Sequence, residues 1–275
     1  MKKTLLFALT FGALAAYPAA AQTRRAVMDY QLWANLQGEM ALKNGDYLLL
    51  ELHGEKTPAY NKYAGTDRFL GFDQRAVSLS YEHFWSDKWS GGGGLQYQPS
   101  SDLKVLTPEL RLRHRSNIGP LTFGQRLSAY RAFPLVKERY YTPVAQNYAS
   151  LRVDLEKVFP VGANGFALRP RLSYEAVTNV RFQKAATDAD QRTIQYTSLR
   201  AEVGCRVGNH FDFTPWFAYT TSYYFTLPQY SAISGTPTSD PGRLNLVTPV
   251  IGLDARFTLF AGKTVFERRQ LPTQH

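Results

Sequence analysis

The residues of this chain that could perform chemistry lie close together in LRLRHRSNIGP, residues 110–120. His114 and Ser116 are two positions apart, and an imidazole that takes the proton of a serine hydroxyl makes that serine a nucleophile. A further polar group must orient the imidazole. The segment 121–130 contains no Asp, Glu or Asn, and its Gln125 is the amide on the side that His114 and Ser116 would share. These three residues are therefore the candidate catalytic set.

The same segment fits a second interpretation that involves no chemistry. Leu110 to Arg115 alternates apolar and polar residues, which is typical of a β-strand, and residues 116–119 have the composition of a turn. His114 would then be an ordinary residue near a strand end. The choice between the two interpretations depends on the elements that position the segment.

Alternation with a period of two recurs along most of the chain. It is clear in AVSLSYEH (residues 76–83), in LRVDLE (151–156), in LRAEVGCRV (199–207) and in IGLDARFTLF (251–260). A period of two predicts strands rather than helices. Charged residues interrupt every apolar run beyond the amino terminus, which argues against membrane-spanning helices. The expected fold class is therefore all-β.

The connections between these strands fall into two length classes that alternate along the chain. Tight turns are expected at residues 43–46, 86–88, 117–119, 162–165, 208–209 and 261–263, and long loops at 57–74, 99–104, 134–146, 179–192 and 227–245. Long loops at one end and tight turns at the other are the organisation of an outer-membrane barrel. The sequence has eleven strong strands and a weaker twelfth at residues 264–270. We therefore expect a transmembrane antiparallel up-and-down β-barrel of about 12 strands.

The amino terminus resembles a secretory signal. Lys2 and Lys3 precede the apolar run LLFALTFGALAA (residues 5–16), and three alanines end at Ala21. We expect residues 1–21 to be a signal peptide and residues 22–275 to form one barrel domain. Together with the alternation, this predicts the outer membrane of a Gram-negative bacterium, with membrane lipid and lipopolysaccharide as neighbours.

Charge is expected to lie inside this barrel, because a membrane barrel turns its apolar face to lipid and its polar face to the lumen. A small solute in the lumen is a further possible partner. The predicted lumen network consists of Arg111, Arg113, Asp154, Arg169, Arg171, Glu175, Arg200, Glu202, Arg206, Asp254 and Arg256. Aromatic residues near strand ends are expected to form the girdles at the membrane surfaces. They include Trp33, Phe84, Trp85, Trp89, Tyr140, Tyr141, Phe159, Phe211, Tyr223, Tyr224 and Phe225.

Composition argues against several other classes of function. The net charge is +10, but the arginines are scattered along strands and form no compact block of the kind that binds nucleic acid. The single cysteine, Cys205, cannot form an internal disulfide. No His/Cys cluster has the spacing of a metal site, and no cofactor is expected. The four glycines at residues 91–94 precede no helix, so they are expected to give room to a bulky neighbour such as Trp85 or Trp89.

Three segments carry a resemblance to a known family. They are YQLWANLQGEMALKNGDYLLLELHGE (residues 30–55), SLSYEHFWSDKWSGGGGLQYQ (78–98) and PELRLRHRSNIGPLTFGQRL (108–127). Their Trp-bearing first strand, Trp-anchored turns and Arg-rich strand pairs resemble a Gram-negative family catalogued as domain of unknown function 2490. The resemblance implies an outer-membrane barrel and assigns no activity.

A second, local resemblance concerns His114 and Ser116. In outer-membrane phospholipases and lipid A deacylases, a histidine and a serine two apart share the lipid-facing side of one strand. Here both share the parity of Leu110 and Leu112. However, the pair lies beside a short turn, and Gln125 departs from the acidic or Asn partner of those families. Three functions stay open: a structural or interaction barrel, a narrow pore, and an acyl hydrolase.

Overall fold

The computed structural model describes residues 23–58, 71–99, 104–135, 144–161, 165–181, 192–226, 228–230, 235–239 and 241–261. The expected signal peptide and the expected twelfth strand at residues 264–270 lie outside these ranges. Among the described residues, no helix is long and apolar enough to span a membrane.

Every regular element in the described part is a β-strand. In chain order they are β1 Arg24–Val27, β2 Gln31–Ala41, β3 Tyr47–Lys56, β4 Gln74–Phe84, β5 Trp89–Gln98, β6 Val105–Ile118, β7 Leu121–Pro134, β8 Gln146–Glu156, β9 Phe159–Val161, β10 Phe166–Asn179, β11 Ile194–Val207, β12 Phe211–Thr226, β13 Gln229–Tyr230, β14 Pro237–Ser239 and β15 Gly242–Phe260. The all-β prediction is confirmed.

Eleven of these strands form a closed ring. Its order is β2-β3-β4-β5-β6-β7-β8-β10-β11-β12-β15, and β15 pairs with β2 to close it. All neighbours in the ring are antiparallel except this last pair, in which residues 250–260 run parallel to residues 31–41. An odd number of strands makes the first and last run in the same direction. The expected barrel of about 12 strands is therefore confirmed, with a parallel seam that the up-and-down prediction did not include.

Two short strands extend this ring. β1 continues the line of β2 and pairs in parallel with residues 244–247 of β15. β9 continues the line of β8 and pairs with residues 166–168 of β10. Each extension lengthens a wall strand after a brief interruption, so neither adds a further position to the ring.

The two ends of the barrel differ as the sequence predicts. Short turns connect β2 to β3, β4 to β5, β6 to β7 and β11 to β12, and we call this the short-turn end. Gly45 and Gly119 in two of these turns have φ of 86° and 58°, a left-handed conformation that glycine adopts without strain. The opposite end, where β3–β4, β5–β6, β7–β8, β10–β11 and β12–β15 are connected, is the long-loop end.

Side chains alternate between the two sides of the wall, and their polarity is the reverse of that in a soluble barrel, with apolar residues outside and charged residues inside. On β3, Leu50 is 50% exposed on the outside, while its neighbour Glu51 is 3% exposed inside. The same pattern places Leu110 outside and Arg111 inside on β6. In a soluble barrel the apolar side would face inward. Here leucines such as Leu50 and Leu110 face outward, although some apolar side chains, among them Leu49 and Val250, are buried inside.

The expectation that the aromatic side chains near strand ends lie on the outer surface is correct for some of them. Trp85 and Trp89 are exposed on the outer surface near the short-turn end. The prediction is wrong for Trp33, whose ring lies inside, 5.3 Å from the ring of His53. It is also wrong for Phe84, which packs against the buried Tyr47. The reason is parity, because both rings alternate inward although they lie near strand ends. Tyr140 and Tyr141 lie outside the described residues.

Candidate functional site

The first candidate set lies on the outer wall near the short-turn end. β6 continues to Ile118, so Ser116 is a strand residue and the turn begins only at Gly119; the expectation of a turn at residues 116–119 was too early. The His114 side chain alternates outward with Leu110, as predicted. Its ring packs against Trp89, with the centroids 4.4 Å apart. This contact fills one side of the imidazole with an apolar ring.

The partners expected for hydrolysis are placed across the β6–β7 pair. Gln125 is directly opposite His114, and Phe123 is directly opposite Ser116. Within the described ranges, no hydrogen bond connects His114 with Ser116 or Gln125, and no group of three metal-ligating side chains occurs. The hydrolase therefore stays an alternative that only a measurement on the protein can decide.

The second candidate set is the charged interior, which is centred on Glu156 of β8. Glu156 Oε2 accepts a hydrogen bond from Arg171 Nε at 2.8 Å, and its Oε1 accepts one from Arg169 Nη2 at 2.8 Å. Arg115 Nη2 lies 3.6 Å from the same Oε1. Three guanidinium groups from β6 and β10 therefore converge on one carboxylate of β8.

The network continues from Arg171 toward the seam of the barrel. Arg171 Nη1 donates to Glu202 Oε1 at 2.7 Å, and Glu202 Oε2 accepts from Arg200 Nε at 2.6 Å. Arg200 Nη2 then donates to Asp254 Oδ2 at 2.5 Å. Acids and bases alternate along this path, so each charge has an opposite neighbour.

Asp254 connects the ionic network to aromatic and amide side chains. Its Oδ1 accepts hydrogen bonds from Trp216 Nε1 at 2.6 Å and from Asn35 Nδ2 at 2.7 Å. Asn35 Oδ1 lies 2.5 Å from His53 Nδ1. His53 Nε2 lies 2.9 Å from Glu55 Oε1. Hydrogen bonds therefore extend from β8 around the wall to β3, across the seam.

Smaller groups of polar contacts complete the interior. Arg256 Nε lies 3.2 Å from Glu39 Oε1, and Arg126 Nη2 lies 2.9 Å from Glu175 Oε1. Arg206, although predicted to join the network, instead bonds at the short-turn end to the oxygen atoms of Gly208 and Asn209, residues of the adjacent turn.

The predicted lumen set is incomplete. Besides Arg152, Glu156 and Glu82, which alternation places on the polar side of their strands, the structure adds the inward-facing charges Glu39, Glu51, Arg126 and Asp212. Alternation could have found the added charges too, since each shares inward parity with polar residues of its own strand. Glu39, for example, shares parity with Asn35 and Gln37 on β2.

Burial of this network shows that the middle of the barrel is filled. The side chains of Arg171, Glu156, Glu202 and Arg200 are between 2% and 4% exposed. Charges that lined a water-filled channel would be exposed to it. Burying charge is tolerated here because opposite charges and hydrogen bonds compensate one another.

A cavity of about 1060 Å³ occupies the lumen above this filled zone. Arg111, Arg126 and Arg200 lie among its lining residues, which extend to strand ends at the long-loop end. Small residues on β4 and β5 also line it: Ala76, Ser78, Ser80 and Gly94. The interior is therefore a cup, closed toward the short turns.

Glycines allow close packing at particular points of the wall. A Cβ at Gly124 would lie 2.4 Å from the Asp154 carboxylate, so the glycine leaves space for that charge inside. On the outside, a Cβ at Gly91 would lie 2.5 Å from the Trp85 ring. The second contact confirms that the run of glycines gives room to a tryptophan.

Comparisons with family models, with curated proteins and with solved structures found no match to this chain. The resemblance to domain of unknown function 2490 stays a prediction.

Proposed function

We propose that this protein is an outer-membrane β-barrel that is closed to ion flow and that presents its lumen cup at the cell surface. In this proposal residues 1–21 direct export, and the barrel contacts membrane lipid and lipopolysaccharide. Its role is structural or interactive, with the cup available to a small solute.

Reversed polarity supports the membrane location. The wall presents Leu50, Leu110, Leu172 and Ile251 outward, each at least half exposed. Contiguous apolar surface of this extent is uncommon on soluble monomers. An 11-residue strand such as β8 is about 36 Å long and, tilted by about 40°, crosses about 28 Å, which suits the apolar layer of a bilayer.

The observation that supports a closed barrel is the near-complete burial of the path Glu156–Arg171–Glu202–Arg200–Asp254. Each carboxylate on this path contacts at least one arginine. A permeating ion would have to separate these pairs, and removing one partner of a buried pair is strongly unfavourable. A narrow pore, the alternative, would need a water-filled route past these side chains.

The orientation follows from the two kinds of connection. Barrels of the outer membrane have short turns on the periplasmic side and longer loops outside. The lining residues of the cup reach the strand ends that lead into the long loops, including Gln98 and Asn179. The cup would therefore face the exterior, and the filled zone would face the periplasm.

Conductance in planar bilayers tests this proposal. Purified protein inserted into a bilayer should give no steady openings, while a porin inserted in parallel shows that the assay detects channels. Separately, the mature barrel should sediment with outer membranes and change its electrophoretic mobility on heating. Steady openings would refute the closed barrel, and recovery in the periplasmic soluble fraction would refute the membrane location.

A further inference from the structure

Three arginines lie side by side across the inner wall. In the strand register, Arg113 of β6 is directly opposite Arg126 of β7, and Arg126 is directly opposite Arg152 of β8. Directly opposite residues share one side of the sheet, and like charges in this relationship destabilise it. Arg111, two residues before Arg113, adds a fourth guanidinium to the same side. A row of this kind concentrates positive potential at one place.

Nearby carboxylates occupy only part of the hydrogen-bonding capacity of this row. Each guanidinium has five N–H donors. Arg126 Nη2 donates to Glu175 Oε1 at 2.9 Å, and Arg111 Nε forms a longer ion pair with Glu109 Oε2 at 3.9 Å. Glu175 interacts with both Arg126 and Arg152, and Glu109 interacts with Arg113 as well as Arg111, so each of these two carboxylates is divided between arginines.

Arg113 is the most informative member of the row. It is 3% exposed, and its Nε lies 3.6 Å from Glu82 Oε1, an atom that already accepts a hydrogen bond from Ser90. Among the described residues, none of its three guanidinium nitrogens has a hydrogen-bond partner. Such groups are costly to bury without acceptors, which points to an anionic ligand nearby.

The row is accessible from the cup. Arg111 and Arg126 both line the cavity, at the boundary between the open volume and the filled zone. Above them, Tyr130 and Tyr148 line the same wall and stack with their ring centroids 5.2 Å apart. A ligand entering from the long-loop end would pass these rings before it reached the guanidinium groups.

We infer that the floor of the cup is an oxyanion site, with Arg111 and Arg126 as hydrogen-bond donors and Arg113 adding positive potential beneath them. The ligand is a phosphate group, either inorganic phosphate or the phosphate of a small solute. Arginine forks match phosphate geometry and form charge-assisted hydrogen bonds with it. This inference goes beyond the closed barrel, because it requires the cup but does not depend on the membrane location.

Calorimetric titration of the detergent-solubilised mature barrel with inorganic phosphate tests the site. Wild type should bind one phosphate per barrel. The double variant Arg126→Gln/Glu175→Gln removes a positive and a negative charge together, so the buried partner is not left unpaired. Its affinity should fall at least about tenfold, since hydrogen bonds to charged groups are the strong ones. Arg206→Gln is the matched control, because it removes an arginine at the short-turn end.

Two outcomes would overturn the inference: no saturable binding to wild type, or equal affinity of wild type and the folded double variant. Should the double variant fail to refold, Arg111→Gln serves in its place with the same expected loss. Phenyl phosphate distinguishes the two sources of the anion. Tighter binding than inorganic phosphate indicates a solute that rests on Tyr130 and Tyr148, and equal binding indicates free phosphate. Because the titration contains no bilayer, its failure is separate from a failure in the conductance test.

Discussion

The indole of Trp216 lies directly over Gly252 of the neighbouring strand, where an added Cβ would be 2.1 Å from two ring carbons. The two residues are directly opposite each other in the β12–β15 pair. The missing side chain lets the indole lie against the wall, donate to Asp254, and receive the Arg200 guanidinium 4.0 Å from its centroid. One glycine therefore positions a ring that connects the aromatic and ionic parts of the interior.

We expect Gly252→Ala to destabilise the barrel by about 1–3 kcal/mol, the usual cost of inserting a methyl group into a filled interior. The indole would have to move and weaken its hydrogen bond to Asp254. Gly242→Ala is a matched control on the same strand, since a Cβ there meets nothing within 4 Å. Denaturant unfolding followed by tryptophan fluorescence measures both variants. Equal midpoints for the two would contradict the packing argument.

The alternation of apolar and polar residues predicts which side chains face the interior, but it does not predict all of them or the contacts that they make. Parity along β11 is enough to place Arg200 and Glu202 inside, because their apolar neighbours must face outward. The same rule, applied strictly, would have placed Trp33 inside, since it shares parity with Asn35. Proximity to a strand end misled the prediction.

Contacts across strands are harder to predict. Asn35 meets Asp254 only because β2 and β15 are neighbours, and a period of two specifies neither the partner nor the direction of a strand. The parallel seam also depends on the number of strands, which the weak segments near both chain ends left uncertain. Hydrogen bonds that cross the seam therefore required the structure.

Shortening the side chains that fill the barrel should open it to ions. In the triple variant Arg171→Ser/Arg200→Ser/Glu202→Ser, three long side chains of the buried path are removed, and water can occupy their volume. We expect discrete conductance steps in planar bilayers where wild type gives none. Arg206→Ser, which alters an arginine at the short-turn end, should stay closed. If the folded triple variant is silent, these residues are not what closes the lumen.

Acidity should weaken the β2–β3 turn through Asp46. Burial raises the pKa of this carboxylate, but hydrogen bonds from His83, Tyr81 and the Phe84 N–H outweigh burial and lower the pKa below its ordinary value of 3.8. The unfolded chain therefore binds the proton more tightly than the folded one. The stabilisation is complete above the ordinary pKa and is lost as pH falls through the lower folded pKa.

The variant Asp46→Asn isolates this contribution. At about pH 6 the variant should unfold at lower denaturant concentration than wild type, because the carboxylate is ionised there and bound to its donors. The difference should shrink as the pH is lowered below about 4. Denaturant midpoints across this range measure it. A difference that is constant with pH would show that the charge of Asp46 is unimportant.

We expect the protein to show no lipid hydrolysis by His114 and Ser116. The His114 ring packs against Trp89, and the residue opposite it is Gln125, which makes no hydrogen bond to it in the described part of the chain. Without an orienting acceptor, the imidazole is poorly placed to activate a serine. Wild type and Ser116→Ala, incubated in detergent micelles with labelled phospholipid or lipid A, should release equal amounts of fatty acid. Release by wild type that disappears in both Ser116→Ala and His114→Ala, with both variants folded, would establish the enzyme instead.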